Sequence, residues 1–213
     1  MTRQAEPDST HEVRRPKSGV HALEKPRTMI IPDEEGCMAL LEKFNTPEHI
    51  VLHSRKVWDV ARVVAEGLLR NDHSLQMELL RASCLLHDIA KYPCIVERKG
   101  FHDVVGGEML VEEGLPEVAR IVDQHVILRD VGGDVVGEEH VLFYADKRVV
   151  HDRLVTLEER FEYLANTYGK TPFLLDRLSE MRDRTFILEK RIFRLLDFNP
   201  EDLADLIETR EAF

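Results

Sequence analysis

The stretch Leu85-Leu86-His87-Asp88-Ile89-Ala90-Lys91 places a histidine and an aspartate inside an otherwise apolar helical segment. Burying an imidazole and a carboxylate is costly unless both find partners. A metal ion is one such partner, because it compensates the carboxylate charge and binds the imidazole lone pair. Lys91 follows His87 by four residues, so we expect it on the same face, beside any bound phosphate. On its own, a His-Asp pair is weak evidence, and a structural role is the simpler interpretation.

Two further segments offer ligands of the same kind. His53 lies in Leu52-His53-Ser54-Arg55, and Asp146 lies in Phe143-Tyr144-Ala145-Asp146-Lys147-Arg148. Both are surrounded by apolar residues with helical spacing, where an unpaired ionisable group would be costly. A helical bundle can bring side chains from several helices together in its core. The sequence therefore predicts a metal site formed by three helices.

The remainder of the chain favours an all-α fold, with capping signals between apolar stretches of helical period. We expect Pro32-Asp33-Glu34-Glu35 to start the first helix, and Thr46 to cap a second whose first residue is Pro47. A third is expected from about residue 75 to Ala90, stopped by Pro93. Further helices are predicted at about 104–113, from Pro116, and through residues 141–145 with an extension to about Val150. Three more are expected to start at the Thr156–Glu159 capping box, at Thr171-Pro172 and at Asn199-Pro200. No strand of useful length is expected.

The domain organisation follows from composition. Residues 1–28 are polar, locally basic and without period, which is typical of a disordered tail. We assign 29–170 to one helical domain and 171–213 to a C-terminal extension with a long helix, which packs on the bundle and could also serve a homodimer.

Charge and cysteine content narrow the function. The 213 residues carry a formal net charge of -11, which argues against a long nucleic-acid partner but not against a small phosphorylated substrate. Three cysteines without a C-x-x-C pair do not suggest a disulfide framework, and no apolar run is long enough to span a membrane. We therefore expect a cytoplasmic protein.

The order His53, His87-Asp88, Asp146 resembles the H…HD…D signature of the HD-domain metal-dependent phosphohydrolases, over roughly residues 46–165. The string around His87 resembles the HDIG-type subgroup, with Ala90 in place of the glycine. Tyr144–Arg148 and the following Leu-Glu-Glu-Arg-Phe at 157–161 are similar to bacterial and archaeal proteins of that subgroup. The resemblance implies an HD-domain helical bundle in which His53, His87, Asp88 and Asp146 bind the metal.

Two more histidines extend the pattern. With His102 and His125 the order becomes H…HD…H…H…D, which resembles the binuclear branch that includes diadenosine tetraphosphate hydrolases and cyclic-dinucleotide phosphodiesterases. That resemblance implies two ions bridged by Asp88, with His102 and His125 on the second. His102 falls at a predicted loop-to-helix boundary, where a plain surface role is the alternative. The histidines outside this pattern are expected to be solvated: His11, His21, His49, His73, His140 and His151.

The chemistry implied is cleavage of a phosphate ester or anhydride by a metal-activated water. Asp88 and Lys91 are the candidate catalytic residues, and cations near the ligands would bind the phosphate: Lys91, Lys147, Arg148, Arg55 and Arg160. Imidazole and carboxylate ligands without thiolate suit Mn, Fe, Co, Ni or Zn. Cys84 is expected to pack in the core.

Two other functions stay open. Some HD-fold proteins with the same ligand pattern are diiron oxygenases, which dioxygen-dependent turnover would reveal. A non-catalytic nucleotide-binding module is the third possibility, and the complete set of ligands argues against it. The substrate, whether a nucleotide or another small phosphate, is not specified by any motif.

Overall fold

The computed structural model describes residues 29–97, 100–130, 132–133 and 135–211. The predicted disordered tail at 1–28 lies outside these residues. In chain order the helices are α1 (Glu34–Lys43), α2 (Glu48–Arg70), α3 (Met77–Leu86), α4 (Lys91–Glu97), α5 (His102–Glu112), α6 (Pro116–Val122), α7 (Glu138–Lys147), α8 (Leu157–Tyr168), α9 (Pro172–Phe193) and α10 (Leu203–Glu211). A short 3-10 turn at Pro200–Asp202 precedes α10. The prediction of an all-α fold is confirmed.

The central element is α2, which packs against α3, α7 and α10. Its apolar residues recur every three or four positions, so they form one buried face. Val57, Val60, Val64 and Leu68 are completely or almost completely buried along this face. Each such side chain contributes about 1.5–3 kcal/mol of hydrophobic stabilisation. Around this centre α3 also packs on α1, α6 and α7, and α9 lies against α7 and α8.

Capping residues set several helix starts as the sequence predicts. Asp33 Oδ1 accepts a hydrogen bond from the Gly36 amide at the start of α1. Thr156 and Glu159 form a reciprocal capping box at α8, at 3.2 and 2.8 Å. Thr171 Oγ1 accepts from the Leu174 amide at α9. These bonds satisfy amides that have no partner inside the helix.

Three predicted boundaries are wrong. Pro47, not Thr46, occupies the N-cap of α2, and the Thr46 hydroxyl has no hydrogen-bond partner. The helix expected to reach Ala90 ends at Leu86. Pro93 does not stop a helix but lies in the first turn of α4, where its missing amide hydrogen would have no intrahelical partner.

The predicted extension of α7 to residue 150 is also wrong. The helix ends at Lys147, and two short antiparallel strands follow, β1 (Val149–Val150) and β2 (Arg153–Leu154). Val150 pairs with Arg153, which leaves His151 and Asp152 as a two-residue turn. His151 has φ of 56°, in the left-handed region. Both strands contact α2, so the hairpin lies against the helix that carries His53.

Among the described residues, no helix combines the length and the apolar character that crossing a bilayer requires.

Candidate metal centre

The His87-Asp88 pair lies where the chain leaves one helix and enters the next. His87 is the C-cap of α3, and Lys91 is the first residue of α4. The tight turn between them is held by Ile89 and Lys91 amides, which donate to the carbonyls of Leu86 and Asp88. His87 is fully buried and Asp88 is 2% exposed. A helix end allows these adjacent side chains to turn toward the same interior space.

Backbone carbonyls fix the ring orientation of three histidines. Nδ1 of His87 lies 2.8 Å from the Cys84 carbonyl oxygen, and Nδ1 of His125 lies 2.7 Å from that of Val122. His53 Nδ1 is 2.7 Å from the His151 carbonyl oxygen. Since a carbonyl only accepts, each Nδ1 carries the hydrogen, and a neutral ring then has its lone pair on Nε2. This is the tautomer that a metal ligand needs.

One group of Nε2 and carboxylate atoms surrounds Oδ2 of Asp88. His87 Nε2 is 3.4 Å and His53 Nε2 is 3.8 Å from this oxygen. Asp146 Oδ1 lies 3.1 Å from His53 Nε2 and 3.8 Å from His87 Nε2. Ligand atoms held ~2.1 Å from one ion are themselves about 3–3.5 Å apart. His87 Nε2 is buried without any hydrogen-bond partner, as an atom aimed at a cation would be.

A second group surrounds the other oxygen of Asp88. His102 Nε2 lies 3.3 Å and His125 Nε2 lies 3.6 Å from Oδ1. The two Nε2 atoms are 3.1 Å from each other. His102 is the first residue of α5, and its side chain is 31% exposed, so this group lies nearer the surface than the first. The ligand atoms of each group are close enough to hold one ion: His53, His87 and Asp88, and then Asp88, His102 and His125.

The electrostatics keep both carboxylates ionised. Burial alone would raise the pKa of Asp88, but the charges of His87 and Lys91 hold that pKa well below its usual range. Burial acts likewise on Asp146, where the Lys147 ammonium and the His53 hydrogen bond hold the pKa well below its usual value. Ionised carboxylates are the form that binds a cation.

Burial and neighbouring charges shift the pKa values of His125 and His87 in opposite directions. Burial lowers the pKa of His125 to about 4, so its ring is neutral and its Nε2 lone pair is available. Burial would lower the pKa of His87 as well, but the Asp88 carboxylate outweighs burial and raises it. A metal ion that binds Nε2 of His87 therefore competes with a proton for this atom.

Three of the five lysine and arginine side chains predicted to bind phosphate lie beside the candidate metal ligands. Lys91 Nζ is 2.6 Å from Asp88 Oδ2, and Asp88 raises the Lys91 pKa although burial opposes this. Arg160 on α8 has Nη2 3.6 Å from Asp146 Oδ1, while its buried Nε has no hydrogen-bond partner. Lys147 Nζ donates to Asp146 Oδ2 and to the His125 carbonyl, both at 2.7 Å, and is completely enclosed. Lys147 thus holds two ligand residues in place instead of offering a charge to solvent.

The other two predicted cations lie elsewhere. Arg55 faces α1, where it contacts Glu34 and the Met38 sulfur. Arg148 donates to the Val155 and Pro200 carbonyls and to the Tyr144 hydroxyl, and pairs with Glu189 at 3.4 Å. Their contacts connect structural elements, so the expectation that they bind substrate has no geometric support.

One histidine outside the pattern, His140, differs from the expectation that it is solvated, and a second, His151, has a role that the expectation did not include. His140 is 5% exposed, its Nδ1 accepts from the Gly137 amide, and its Nε2 donates to the Asp130 carbonyl, so it caps α7. His151 has an exposed side chain, but its backbone carbonyl holds His53. Residue-type patterns could not reveal the second role, because any residue supplies a carbonyl. The carbonyls of Cys84 and Val122 lie three positions before His87 and His125. Because both histidines lie at or just after a helix end, these carbonyls could have been predicted as their hydrogen-bond acceptors.

Comparison with known proteins gives one family match. A family model described as HD domain matches residues 50–197. The chain is also similar to two curated proteins named tRNA (cytidine(56)-2'-O)-methyltransferase. That of Thermoplasma volcanium is 32% identical over 117 residues, which cover 54% of this chain and 30% of the relative. That of Picrophilus torridus is 25% identical over 151 residues, which cover 64% of this chain and 42% of the relative.

The chain therefore spans less than half the length of either of these two curated relatives. No solved structure matches it.

Proposed function

The chain belongs to the HD domain family, and from this premise we propose that it is a metal-dependent phosphohydrolase that cleaves an ester or anhydride of a small phosphorylated molecule. The observation that carries the proposal is the position of Asp88. Its Oδ2 faces His53 and His87, and its Oδ1 faces His102 and His125. A carboxylate with an imidazole pair on each side suits a bridging ligand between two cations.

We assign His53, His87, Asp88 and Asp146 to the first ion, and Asp88, His102 and His125 to the second. The residues fit such ions because the three rings fixed by carbonyls have Nε2 lone pairs aimed at Asp88, and both carboxylates remain ionised. Imidazole and carboxylate donors suit Mn, Fe, Co, Ni or Zn. Among the described residues, Cys84 belongs to neither group of side chains that could hold an ion, and burial raises the pKa of its thiol well above the ordinary value.

Metal ions of this class supply a water with a lowered pKa and neutralise charge on a phosphoryl group. The chain's own cations would complete this environment. Lys91 keeps its ammonium next to Asp88, with 32% of the side chain exposed, so it can reach a phosphate oxygen. Arg160 has a guanidinium nitrogen without a hydrogen-bond partner beside Asp146. Donors already in place where negative charge develops stabilise a transition state without reorganisation.

We propose different roles for the lysine and arginine side chains. Lys91 and Arg160 bind and orient the phosphoryl oxygens. Lys147 positions Asp146 and the backbone of His125, because its ammonium donates to the Asp146 carboxylate and to the His125 carbonyl. Arg148 and Arg55 are left out of the substrate-binding set.

For the substrate we propose a nucleotide or another small phosphate. The net charge of -11 disfavours a long polyanion, which needs an extended basic surface. The names of the two methyltransferases describe proteins more than twice as long as the matched segments, so we do not transfer their activity. Because those names include tRNA, it belongs in the substrate panel.

The proposal is tested by loading the chelator-treated protein separately with Mn, Fe, Co, Ni and Zn. Phosphate release is then measured from nitrophenyl phosphates, nucleotides, dinucleoside polyphosphates and tRNA, with metal content determined on the same samples. We expect bound metal and hydrolysis of at least one small phosphate. Turnover that needs dioxygen would instead indicate a diiron oxygenase. Absence of bound metal under all loadings would favour a non-catalytic module.

A further inference from the structure

The turn between β1 and β2 reaches the metal centre through one backbone atom. His151 is the first residue of this two-residue turn, and its carbonyl oxygen lies 2.7 Å from Nδ1 of His53. His53 is only 6% exposed, and its other nitrogen, Nε2, faces Asp146 and Asp88. The contact joins residues 98 positions apart in the chain. It is therefore a tertiary interaction that forms only when the hairpin is seated on α2.

We propose that the β1–β2 turn is a positioning element for the metal ligand His53, and that the left-handed backbone of His151 aims the carbonyl that holds the His53 ring. The proposal rests on the metal site proposed above, but not on the hydrolytic reaction.

The other buried histidine ligands take their carbonyl partners from their own helix ends. His87 and His125 receive their carbonyls from residues three positions earlier, Cys84 and Val122, so local helix-end geometry supplies them. His53 lies in the second turn of α2, where the carbonyls before it are used by the helix itself. It therefore needs an acceptor from another part of the chain. The His151 carbonyl supplies it, which explains why a hairpin follows α7 in an otherwise helical fold.

The backbone of the turn at His151 has an uncommon conformation. A φ of 56° is uncommon for a residue with a side chain, and it is worst for β-branched residues. The conformation persists where surrounding contacts enforce it, and such residues concentrate at functional sites. Here the strands on either side are fixed by the pairs Val149–Leu154 and Val150–Arg153.

The His151 side chain makes a separate contact that supports the turn. Its ring lies edge-on to Tyr163 of α8, with centroids 5.6 Å apart. The ring is exposed and makes no contact with the ligand cluster, so the imidazole is not itself a ligand. The orientation of the His53 ring is assigned to the carbonyl and the φ angle of residue 151. Another residue that adopts the same φ at this position should therefore preserve the orientation.

The substitutions that separate these roles are His151→Gly, His151→Asn and His151→Val. Glycine and asparagine adopt positive φ readily, whereas valine does not. Asn45→Val is the matched control, because Asn45 has φ of 52° in the turn between α1 and α2 and is not one of the proposed ligands. All four changes are made in a His102→Ala background, so that zinc titration reports on the His53 position.

Two measurements are needed. The first is zinc affinity by competition with a chelator. The second is the hydrogen-bonded Nδ1 proton of His53, observed by long-range proton–nitrogen NMR in the metal-free protein. Loss of a residue that orients a metal ligand typically weakens binding about 10–100-fold. We expect that loss for His151→Val, together with loss of the protected Nδ1 proton. His151→Gly and His151→Asn should keep both properties, and Asn45→Val should lower stability only.

Three results would overturn the proposal. His151→Val could keep the affinity and the Nδ1 proton. His151→Gly could lose both, which would assign the role to the ring. Asn45→Val could weaken zinc binding equally, which would mean that general destabilisation is the cause. The NMR measurement needs neither metal nor substrate. A protein that binds zinc as expected but hydrolyses nothing would refute the proposed reaction and leave the positioning role intact.

Discussion

The Nε2 atoms of His102 and His125 lie 3.1 Å apart, although the two residues are 23 positions apart in the chain. Both atoms also face Oδ1 of Asp88, at 3.3 and 3.6 Å. Two imidazole nitrogens and a carboxylate oxygen at this spacing are close enough together to hold one cation. This arrangement is the basis for proposing a second ion.

We predict that His125→Ala reduces the bound metal from two ions per chain to one. The variant removes a buried Nε2 donor from the second position and leaves His53, His87 and Asp146 unchanged. Metal content after loading and gel filtration checks this, with His49→Ala on the exposed surface of α2 as the control. Two ions retained in His125→Ala would contradict the ligand assignment.

Lys91→Met should lower kcat/KM by about 10²–10³-fold, because it removes a charged donor from the place where phosphoryl charge develops. Metal content should be retained, since Lys91 is not among the proposed ligands. Lys43→Met is the control: Lys43 pairs with Glu113 at the exposed side of α1 and α5, and its loss should not affect kinetics. An unchanged kcat/KM for Lys91→Met would remove this residue from the proposed phosphate site.

Arg148→Met should act on stability and not on kinetics. The guanidinium is 5% exposed and bonds to two carbonyls, to the Tyr144 hydroxyl and to Glu189. Leaving buried acceptors without partners costs roughly 1–3 kcal/mol of unfolding free energy. Urea denaturation measures the loss, and kcat/KM of the folded variant should remain within about threefold of the wild type. A large fall in kcat/KM without a loss of stability would restore the substrate-binding interpretation.

His140 predicts a pH dependence of stability that is independent of the metal ligands. Burial lowers the pKa of His140, and Arg191 adds to this while Glu139 opposes it. The unfolded chain therefore binds a proton here at a higher pH than the folded protein does. By linkage, this group's contribution to stability is complete above the unfolded pKa of about 6.5 and is lost as the pH falls toward the folded value.

The check is urea unfolding at about pH 8 and pH 5 in the presence of a chelator, for wild type and His140→Gln. Every other ionisable group is the same in both proteins, so its effect cancels in the comparison. We expect the wild type to lose more stability than His140→Gln between the two values. An equal loss would mean that His140 does not titrate as its surroundings indicate.

Much of the fold could be predicted because its signals are local. Asp33, Thr156 and Thr171 cap helices with their own side chains, and the apolar period of α2 determines its buried face. The predictions of helix boundaries were wrong where those boundaries depend on tertiary contacts. The helix ends at Leu86, before the apolar pattern ends, and this exposes His87 and Asp88 to the interior space shared with His53 and Asp146.

At the candidate site, too, local signals were predictable from the sequence and tertiary contacts were not. Residue type and order led to the six proposed ligands, and the described structure places the four histidines around Asp88 and Asp146 beside His53 and His87. The proximity of Arg148 to Asp146 in sequence does not bring the two groups together, because side chains two positions apart on a helix do not face each other. Arg148 instead bonds to Tyr144, four positions earlier, and pairs with Glu189. The role of the His151 backbone has no residue-type signal, since it depends on a carbonyl and on a φ angle.

The central claim is tested most directly by phosphate release with Asp88→Asn, which preserves the side-chain shape but removes the charge shared by both groups of ligands. After chelation, wild type and variant are titrated with Mn²⁺ on the best substrate of the panel. The proposed function predicts that metal restores activity to the wild type and leaves Asp88→Asn at least about 100-fold lower. Equal activity of the two proteins, or hydrolysis that does not depend on added metal, would contradict it.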